Sequence, residues 1–387
     1  MASITEVTAT RFRTISRMQS DSEGHGHPGP ATPSAMALLT IRDDEGDVGY
    51  HLTSPHYLTA VQVEEYVRPA LIGKDPLARE SLWQALWHQQ RNSYGRLPDR
   101  TISAAEQALW DLTGRKLGLP VWRVLGGDRD RVPAYASIMC GDEEPGGLST
   151  PEEYAAFAEK LVAEGYQAVK LHTWMTPVSF APSVAMDLRA CAAVREAVGP
   201  DVALMLDSHH YYSRIEALEL GRGLERLGFA WMEEPMNEYS MSSYRWLCDQ
   251  LDLPVCGPES VAGGPQSRAE WITAGACDIL RIGVDSGPGI GAALKAFHLA
   301  EAHGMDCELH GGGAGALAVL SVVRNTRWYE RGLLHPHYDY EQPPPHLKSI
   351  VDRVENGQVL LSHEPGLGVD IDLDYIEENR LPEPEPR

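Results

Sequence analysis

No stretch of this chain approaches the roughly 20 consecutive apolar residues that cross a bilayer, so no membrane span is expected. Positive charge is scarce. Lys and Arg number 33 against 55 Asp and Glu, a formal net charge of −22. That balance argues against a nucleic-acid or anionic-membrane surface. It leaves an anionic substrate open, because a bound cation inverts the field around it. Cysteine pairs are also missing: the six cysteines at 140, 191, 248, 256, 277 and 307 never stand in C-x-x-C spacing. A zinc knuckle or thioredoxin-like site is therefore not expected, and the apolar neighbours of Cys191 and Cys256 read as surroundings of buried free thiols. The first residues, Met-Ala-Ser-Ile-Thr-Glu, form neither a basic leader nor an apolar signal core, and a cytoplasmic location is the expectation. What remains is an ordinary apolar fraction of 43% over 387 residues, enough for a sizeable core and more than one domain.

The texture of the chain changes near residue 130. Residues 3–15 alternate like a strand, then Gln19 to Pro30 is polar and rich in Gly and His, and reads as a mobile loop with too few apolar groups to pack. Ala35–Arg42 and Val48–Thr53 read as a hairpin around Asp43–Asp47. Helical periodicity follows from about 57 to 117. From Val132, strand-like runs at 132–137, 167–172, 202–209, 229–235, 253–259, 277–283, 305–310 and about 326–330 alternate with amphipathic helices. One helix opens at Pro151-Glu-Glu, its acids placed to offset the helix dipole. This alternation implies a parallel sheet with right-handed crossovers, and eight strands suggest a TIM-type α/β barrel behind a small α+β unit. The tail beyond 331 contains Gln342-Pro-Pro-Pro345, and its Pro/Glu-rich end 381–387 reads as frayed.

Three acids recur at one interval: Asp207, Glu233 and Glu259, with 233 − 207 = 26 and 259 − 233 = 26. Each closes a short apolar run, and one strand, one helix and two loops make a barrel repeat of about this size. Acids at the carboxyl ends of three successive strands would converge and repel one another unless a cation lay between them. Oxygen ligation favours a hard ion such as Mg²⁺. Glu233 rather than Glu234 continues the inward alternation and is taken as the ligand. A plain reading, in which each acid caps a helix, has to explain the shared interval.

Other groups converge on the same mouth. The second barrel strand ends Lys170-Leu-His172, with both side chains on one face. A lysine beside a divalent cation is expected to have a lowered pKa and to act as base; a histidine needs no shift for that role. The seventh strand ends at His310, followed by Gly311-Gly-Gly-Ala-Gly315, a run equally suited to a ligand-hugging loop or a plain turn. His172 or Lys170 would face His310 across a substrate. His209 lies on the side of Asp207 and is a candidate proton donor or substrate contact. Glu330, closing the eighth strand, is a candidate to hydrogen-bond a substrate carboxylate as a protonated acid. Arg281 on the sixth strand, and His25 and His27 in the polar N-terminal stretch, are candidate substrate contacts, the two histidines as part of a lid. Each of these has a bland alternative: a solvated lysine, a structural or surface histidine, a capping glutamate.

Jointly, Ala105–Gly118 with Leu119-Pro-Val-Trp-Arg-Val-Leu-Gly-Gly127, Leu206-Asp207, Trp231-Met-Glu-Glu-Pro235 and Gly257-Pro-Glu259 resemble the enolase superfamily, in particular its mandelate racemase-like acid-sugar dehydratases. The resemblance implies an α+β capping domain (1–128) with a specificity loop at 18–30, a modified (β/α)₇β barrel (129–331), and a C-terminal segment (332–387) that returns to the cap. It implies one Mg²⁺ on Asp207, Glu233 and Glu259, a carboxylate-binding role for Glu330, and a homo-oligomer between dimer and octamer. Two departures stand out. Members with a base on the second strand usually carry Lys-x-Lys, where this chain has Lys170-Leu-His172. Members with a His–Asp dyad place Asp at the end of the sixth strand, where this chain has Gly283, leaving His310 without a carboxylate partner unless Asp285 reaches it. Asp207-Ser-His209 is similar to the arrangement in mannonate dehydratases, which also lack the dyad acid.

The expected reaction is removal of the proton α to a carboxylate, then loss of the β-hydroxyl, giving a 2-keto-3-deoxy sugar acid. A racemase, epimerase or cycloisomerase would use the same enediolate. A catalytically silent sugar-acid-binding barrel is the alternative of a different class. A Schiff-base aldolase is disfavoured, since no Lys ends the sixth strand.

Overall fold

The structure, a computed structural model, describes residues 2–22 and 25–382; of the end 381–387 expected to fray, residues 383–387 lie outside the described residues, while the Leu381 N–H donates to the Arg11 carbonyl at 2.8 Å. The chain begins with a long antiparallel hairpin, β1 (Ile4–Ser20) and β2 (Gly26–Asp43), to which β3 (Val48–Thr53) adds. The stretch from Gln19 to Pro30, expected to be a loop, thus mostly continues the two strands, with Gln19 opposite His27 and Ser20 opposite Gly26. Apolar packing is not what holds it. The strand ladder and a polar turn do: the Asp21 backbone N–H donates to the His25 carbonyl at 3.0 Å, and the Asp21 carboxylate accepts from the His25 N–H at 3.0 Å.

One face of this sheet, with Ile4, Val7, Leu39 and Ile41, packs on the helices Arg79–Asn92 and Asp99–Leu117. The second helix is buried along nearly its whole length because it lies between the cap sheet and the barrel. The sheet approaches it so closely that a Cβ on Gly49 would sit 2.1 Å from the Ala108 carbonyl oxygen. That helix ends at Gly118, whose φ of 65° places it in the left-handed region that glycine occupies freely.

The barrel follows the alternation read from the sequence. Its strands are β4 (Arg131–Ile138), β5 (Ala168–His172), β6 (Ala203–Asp207), β7 (Trp231–Glu233), β8 (Val255–Gly257), β9 (Ile279–Gly283), β10 (Cys307–His310) and β11 (Tyr329–Leu334). Each is parallel to the next from β4 to β10, and β11 closes the ring by pairing with β4. Among the described residues β10 and β11 share no ladder; that seam is bridged by the Gly311 N–H donating to Glu330 Oε2 at 2.8 Å. Seven intervals carry a helix and the eighth strand carries none, which makes this a (β/α)₇β barrel. β11 begins three residues later than expected and runs on to Leu334.

Helix starts follow the side-chain chemistry. Thr150 accepts from the Glu153 N–H at the head of Pro151–Ala163, and Ser213 with Glu216 forms a reciprocal capping box at Arg214–Arg226. Outward strand residues such as Val169, Leu204 and Leu280 join the helices in the main core, while Tyr135, Ala168, Met205, Trp231 and Cys256 fill the interior below the mouth. Past β11, β12 (Val354–Glu355) and β13 (Gln358–Leu360) form a small hairpin that pairs with the start of β4. The chain then returns to the cap, where Ile376 packs with Phe12 and Leu38.

Candidate active site

β6 and β7 end on an acid, and the third acid lies two residues beyond β8. Register places them side by side, Asp207 opposite Glu233 across the β6–β7 ladder. Asp207, Glu233 and Glu259 offer carboxylate oxygens that all lie within 4.8 Å of one another. Glu234 faces elsewhere and accepts from the Glu259 N–H at 2.6 Å. Burial and the charges of Glu233 and Asp207 push the Glu259 carboxyl well above the usual range, against the pull of Arg281. Burial opposes ionisation of Asp207 too, but His209, His172 and Lys170 hold it well below the usual range. Two buried acids and a partly buried third that resists ionisation, all oxygen donors, suit a hard divalent cation that would let all three ionise. Formal charge agrees: four carboxylates, counting Glu330, face Lys170 and Arg281, leaving two negative charges.

Lys170 is 1% exposed and does point into the mouth, as alternation along β5 requires. Its Nζ lies 2.8 Å from Glu330 Oε1, 2.9 Å from Glu233 Oε2 and 3.7 Å from Asp207 Oδ2. The lowered pKa is expected beside a bound cation; the protein's own groups by themselves pull the other way. Burial and Arg281 both disfavour the ammonium, yet Glu233 and Glu330 outweigh them and hold it well above the usual lysine range. His172 is buried beside it. Its Nδ1 donates to the Ile138 carbonyl at 2.6 Å, since a carbonyl can only accept, and its Nε2 stands 3.2 Å from Asp207 Oδ2.

Two further expectations need correction. Glu330 is not a protonated donor: burial favours the neutral form, but Lys170, Arg281 and His310 hold its carboxylate well below the usual range. Ser137 Oγ donates to it at 2.9 Å and Arg281 Nη2 at 2.9 Å. Arg281 does not reach for substrate. It is fully buried beneath the acids, with its guanidinium against Glu233, Glu330 and Glu259. It is therefore a group that holds the acids in place.

His310 stands at the opposite wall on β10, its Nε2 3.1 Å from Glu259 Oε1, and burial pushes its pKa down to about 3. Asp285 does not reach it, because the Gln107 side-chain amide takes that carboxylate at 2.5 Å. Ser286 does, with Oγ 3.0 Å from His310 Nδ1. Reading the sequence missed Ser286 and Ser137; a hydroxyl within the glycine-rich run Gly283–Gly289 was the available signal for the first.

The hairpin tip supplies the last pieces. Asp21 Oδ2 lies 3.1 Å from His25 Nδ1 and 3.0 Å from His27 Nε2. The His25 ring meets His209 edge-on at 5.3 Å between centroids, and His209 meets His172 at 5.1 Å. His209 sits in a left-handed backbone conformation, φ 46°, beside Asp207, and burial pushes its pKa down to about 3. All the histidines singled out in the sequence thus touch one site.

Residues 153–375 match the enolase C-terminal domain-like family model, and residues 24–126 match the mandelate racemase / muconate lactonizing enzyme N-terminal domain. The chain belongs to the enolase superfamily, in its mandelate racemase-like subgroup. Among superfamily members, the crystal structure of a D-glucarate dehydratase from Agrobacterium tumefaciens complexed with magnesium is similar at 56% identity and a TM-score of 0.96, covering 98% of this chain and 99% of that one. The D-galactarolactone cycloisomerase of Agrobacterium fabrum is 31% identical over 361 residues, 90% of this chain and 92% of that protein. The arabinonate dehydratase of Saccharolobus solfataricus is 28% identical over 355 residues, 89% of this chain and 91% of that protein. No helix among the described residues is long and apolar enough to cross a membrane.

Proposed function

We propose that the chain is a Mg²⁺-dependent dehydratase of a sugar acid, and that a hexarate of the D-glucarate kind is the first substrate to test. The observation that carries this reading is the convergence of Asp207, Glu233 and Glu259 within 4.8 Å, flanked on one side by Lys170 and His172 and on the other by His310. The similarity at 56% identity to a D-glucarate dehydratase from Agrobacterium tumefaciens supports the substrate class. The bound ion would supply Lewis acidity for the negative charge that develops on the substrate carboxylate.

The protein's own groups do the rest. Lys170 and Arg281 hold the acids and add positive charge beneath the developing anion. A base at the end of β5 or β10 takes the α-proton. The electron pair of that C–H bond becomes the new C=C bond, and the pair of the β C–O bond leaves with the hydroxyl, which takes up a proton and departs as water. The resulting enol becomes the 2-keto-3-deoxy acid. Proton transfer by a positioned side chain contributes typically ~10²–10⁴-fold. His25 and His27, fixed by Asp21 at the hairpin tip, are placed to read the far end of the substrate.

A cycloisomerase acting on a sugar-acid lactone is the second reading, favoured by the 31% identical relative. Incubating the Mg²⁺-loaded protein with a panel of aldarates, aldonates and their lactones separates the two. Dehydration gives a 2-keto acid from an open-chain sugar acid. Exchange of the α-hydrogen for deuterium with no 2-keto acid from any open-chain acid would reject it.

A further inference from the structure

We propose that Ser286 is the positioning residue for His310, filling the place of the carboxylate that residue 283 does not carry. The kinetic part of this inference rests on the dehydratase reading; the structural part does not.

Space makes the case first. A Cβ on Gly283 would lie 1.9 Å from Ser286 Oγ, far inside contact distance, so residue 283 can bear a side chain only if the Ser286 hydroxyl turns away from its present position. Gly283 has no left-handed backbone to explain its choice. Its small size serves the hydroxyl, which reaches His310 Nδ1 at 3.0 Å through the vacated volume. The loop is held in that position by the cap. Ser103 Oγ donates to the Val284 carbonyl at 2.7 Å, the Trp83 indole N–H donates to the Pro288 carbonyl at 2.8 Å, and Glu106 accepts from the N–H groups of Ile290 and Gly291. Gln107 holds Asp285 on the cap side. Four residues on two cap helices therefore hold the loop that carries this serine.

Chemistry gives the consequence. A carboxylate at residue 283 could only accept, and would draw the ring hydrogen to Nδ1, leaving a lone pair on Nε2. A hydroxyl can donate or accept, so Ser286 meets Nδ1 in either tautomer and fixes the direction of the ring without dictating its charge. His310 is thereby held facing the mouth, across from His172, whose Nδ1 N–H is held by the Ile138 carbonyl.

Three measurements decide this. In ¹⁵N-histidine-labelled, Mg²⁺-loaded protein, the Nδ1 resonance of His310 (identified by its loss in H310N) should carry the signature of a hydrogen-bonded nitrogen, and S286A should shift it. That readout needs no turnover, so it stands even if no sugar acid is a substrate. With D-glucarate, S286A should lower kcat by roughly 10- to 100-fold, the scale of losing a partner that orients a reacting imidazole, with KM little changed and S286T recovering part of the rate. G283A should mimic S286A, and the double variant should be no slower than the slower single, because both remove one contact. A wild-type His310 Nδ1 free of any hydrogen bond, an S286A protein with unchanged Nδ1 resonance and rate, or additive losses in the double variant would overturn the proposal.

Discussion

Single side chains carry the sharpest consequences. Burial and the charges of Glu233 and Asp207 drive Glu259 away from ionisation, so a bound divalent cation has much to gain there. Glu259→Gln should weaken Mg²⁺ binding by at least about 100-fold with an unchanged circular-dichroism spectrum, on the scale of losing one charged ligand of three; calorimetric titration reads it directly. Away from the mouth, Asp187 is buried in the helix Val184–Val198, with Tyr212 O–H donating to it at 2.5 Å. Burial raises its pKa to about 6 in spite of that bond. A raised carboxyl pKa makes the folded state bind more protons than the unfolded one, so its contribution is full below about pH 4 and is lost as pH rises through 6. Asp187→Asn keeps the acceptor and cannot ionise. It should raise stability at pH 7.5 by up to about 3 kcal/mol relative to its effect at pH 4, read from urea unfolding at the two pH values.

At the scale of elements, the β1–β2 hairpin is the part that reaches furthest to do something chemical. Its ladder carries Asp21, His25 and His27 from the cap sheet to the rings of His209 and His172. Asp21→Asn, which keeps the shape and weakens the hold on both imidazoles, should raise KM for a hexarate several-fold while leaving Mg²⁺ affinity as it was. Steady-state kinetics with a metal titration checks both halves; an unchanged KM would remove the tip from substrate recognition. A different element gives a purely structural expectation. The capping box of Ser213 and Glu216 opens the helix that follows the Asp207 strand, and Ser213→Ala should cost about 1 kcal/mol of stability without touching turnover.

The whole molecule is bound together by acids that look misplaced in isolation. Asp111, on the buried cap helix, accepts from the backbone N–H of Tyr50 at 3.0 Å, from the N–H of Leu367 at 2.7 Å and from Arg115 Nε at 2.7 Å. It thus ties the cap sheet, the cap helix and the returning C-terminal segment at one carboxylate. Asp111→Ala would leave buried donors unpaired, and should lower the unfolding free energy by about 3 kcal/mol, at about 1–3 kcal/mol per unsatisfied group. Denaturant unfolding would show it, and catalysis per folded molecule should survive. Glu106 plays a similar part on the other side of the helix, at the head of Ile290–Ala302, with burial raising its pKa to about 7. The junction between cap and barrel is accordingly the place where folding and the loop of Ser286 meet.

Much of this was legible along the chain. Strands separated by one repeat put Asp207, Glu233 and Glu259 at a common interval, and a period of two puts Lys170 and His172 on one face; both follow from local geometry, which a linear sequence encodes. The eight barrel strands and the early helices were visible for the same reason. What the sequence could not express is which groups meet across the fold. It could not show that Arg281 spends its charge under the acids, that Glu330 is held ionised by Lys170, or that a polar stretch with few apolar residues continues as a hairpin. Nor could it show Ser286 entering the space above Gly283. Those outcomes depend on distances between residues far apart in the chain, and on the low-dielectric surroundings that decide which charges survive burial. The residues that can do the chemistry are written in order; the state each one holds is settled by its neighbours in space.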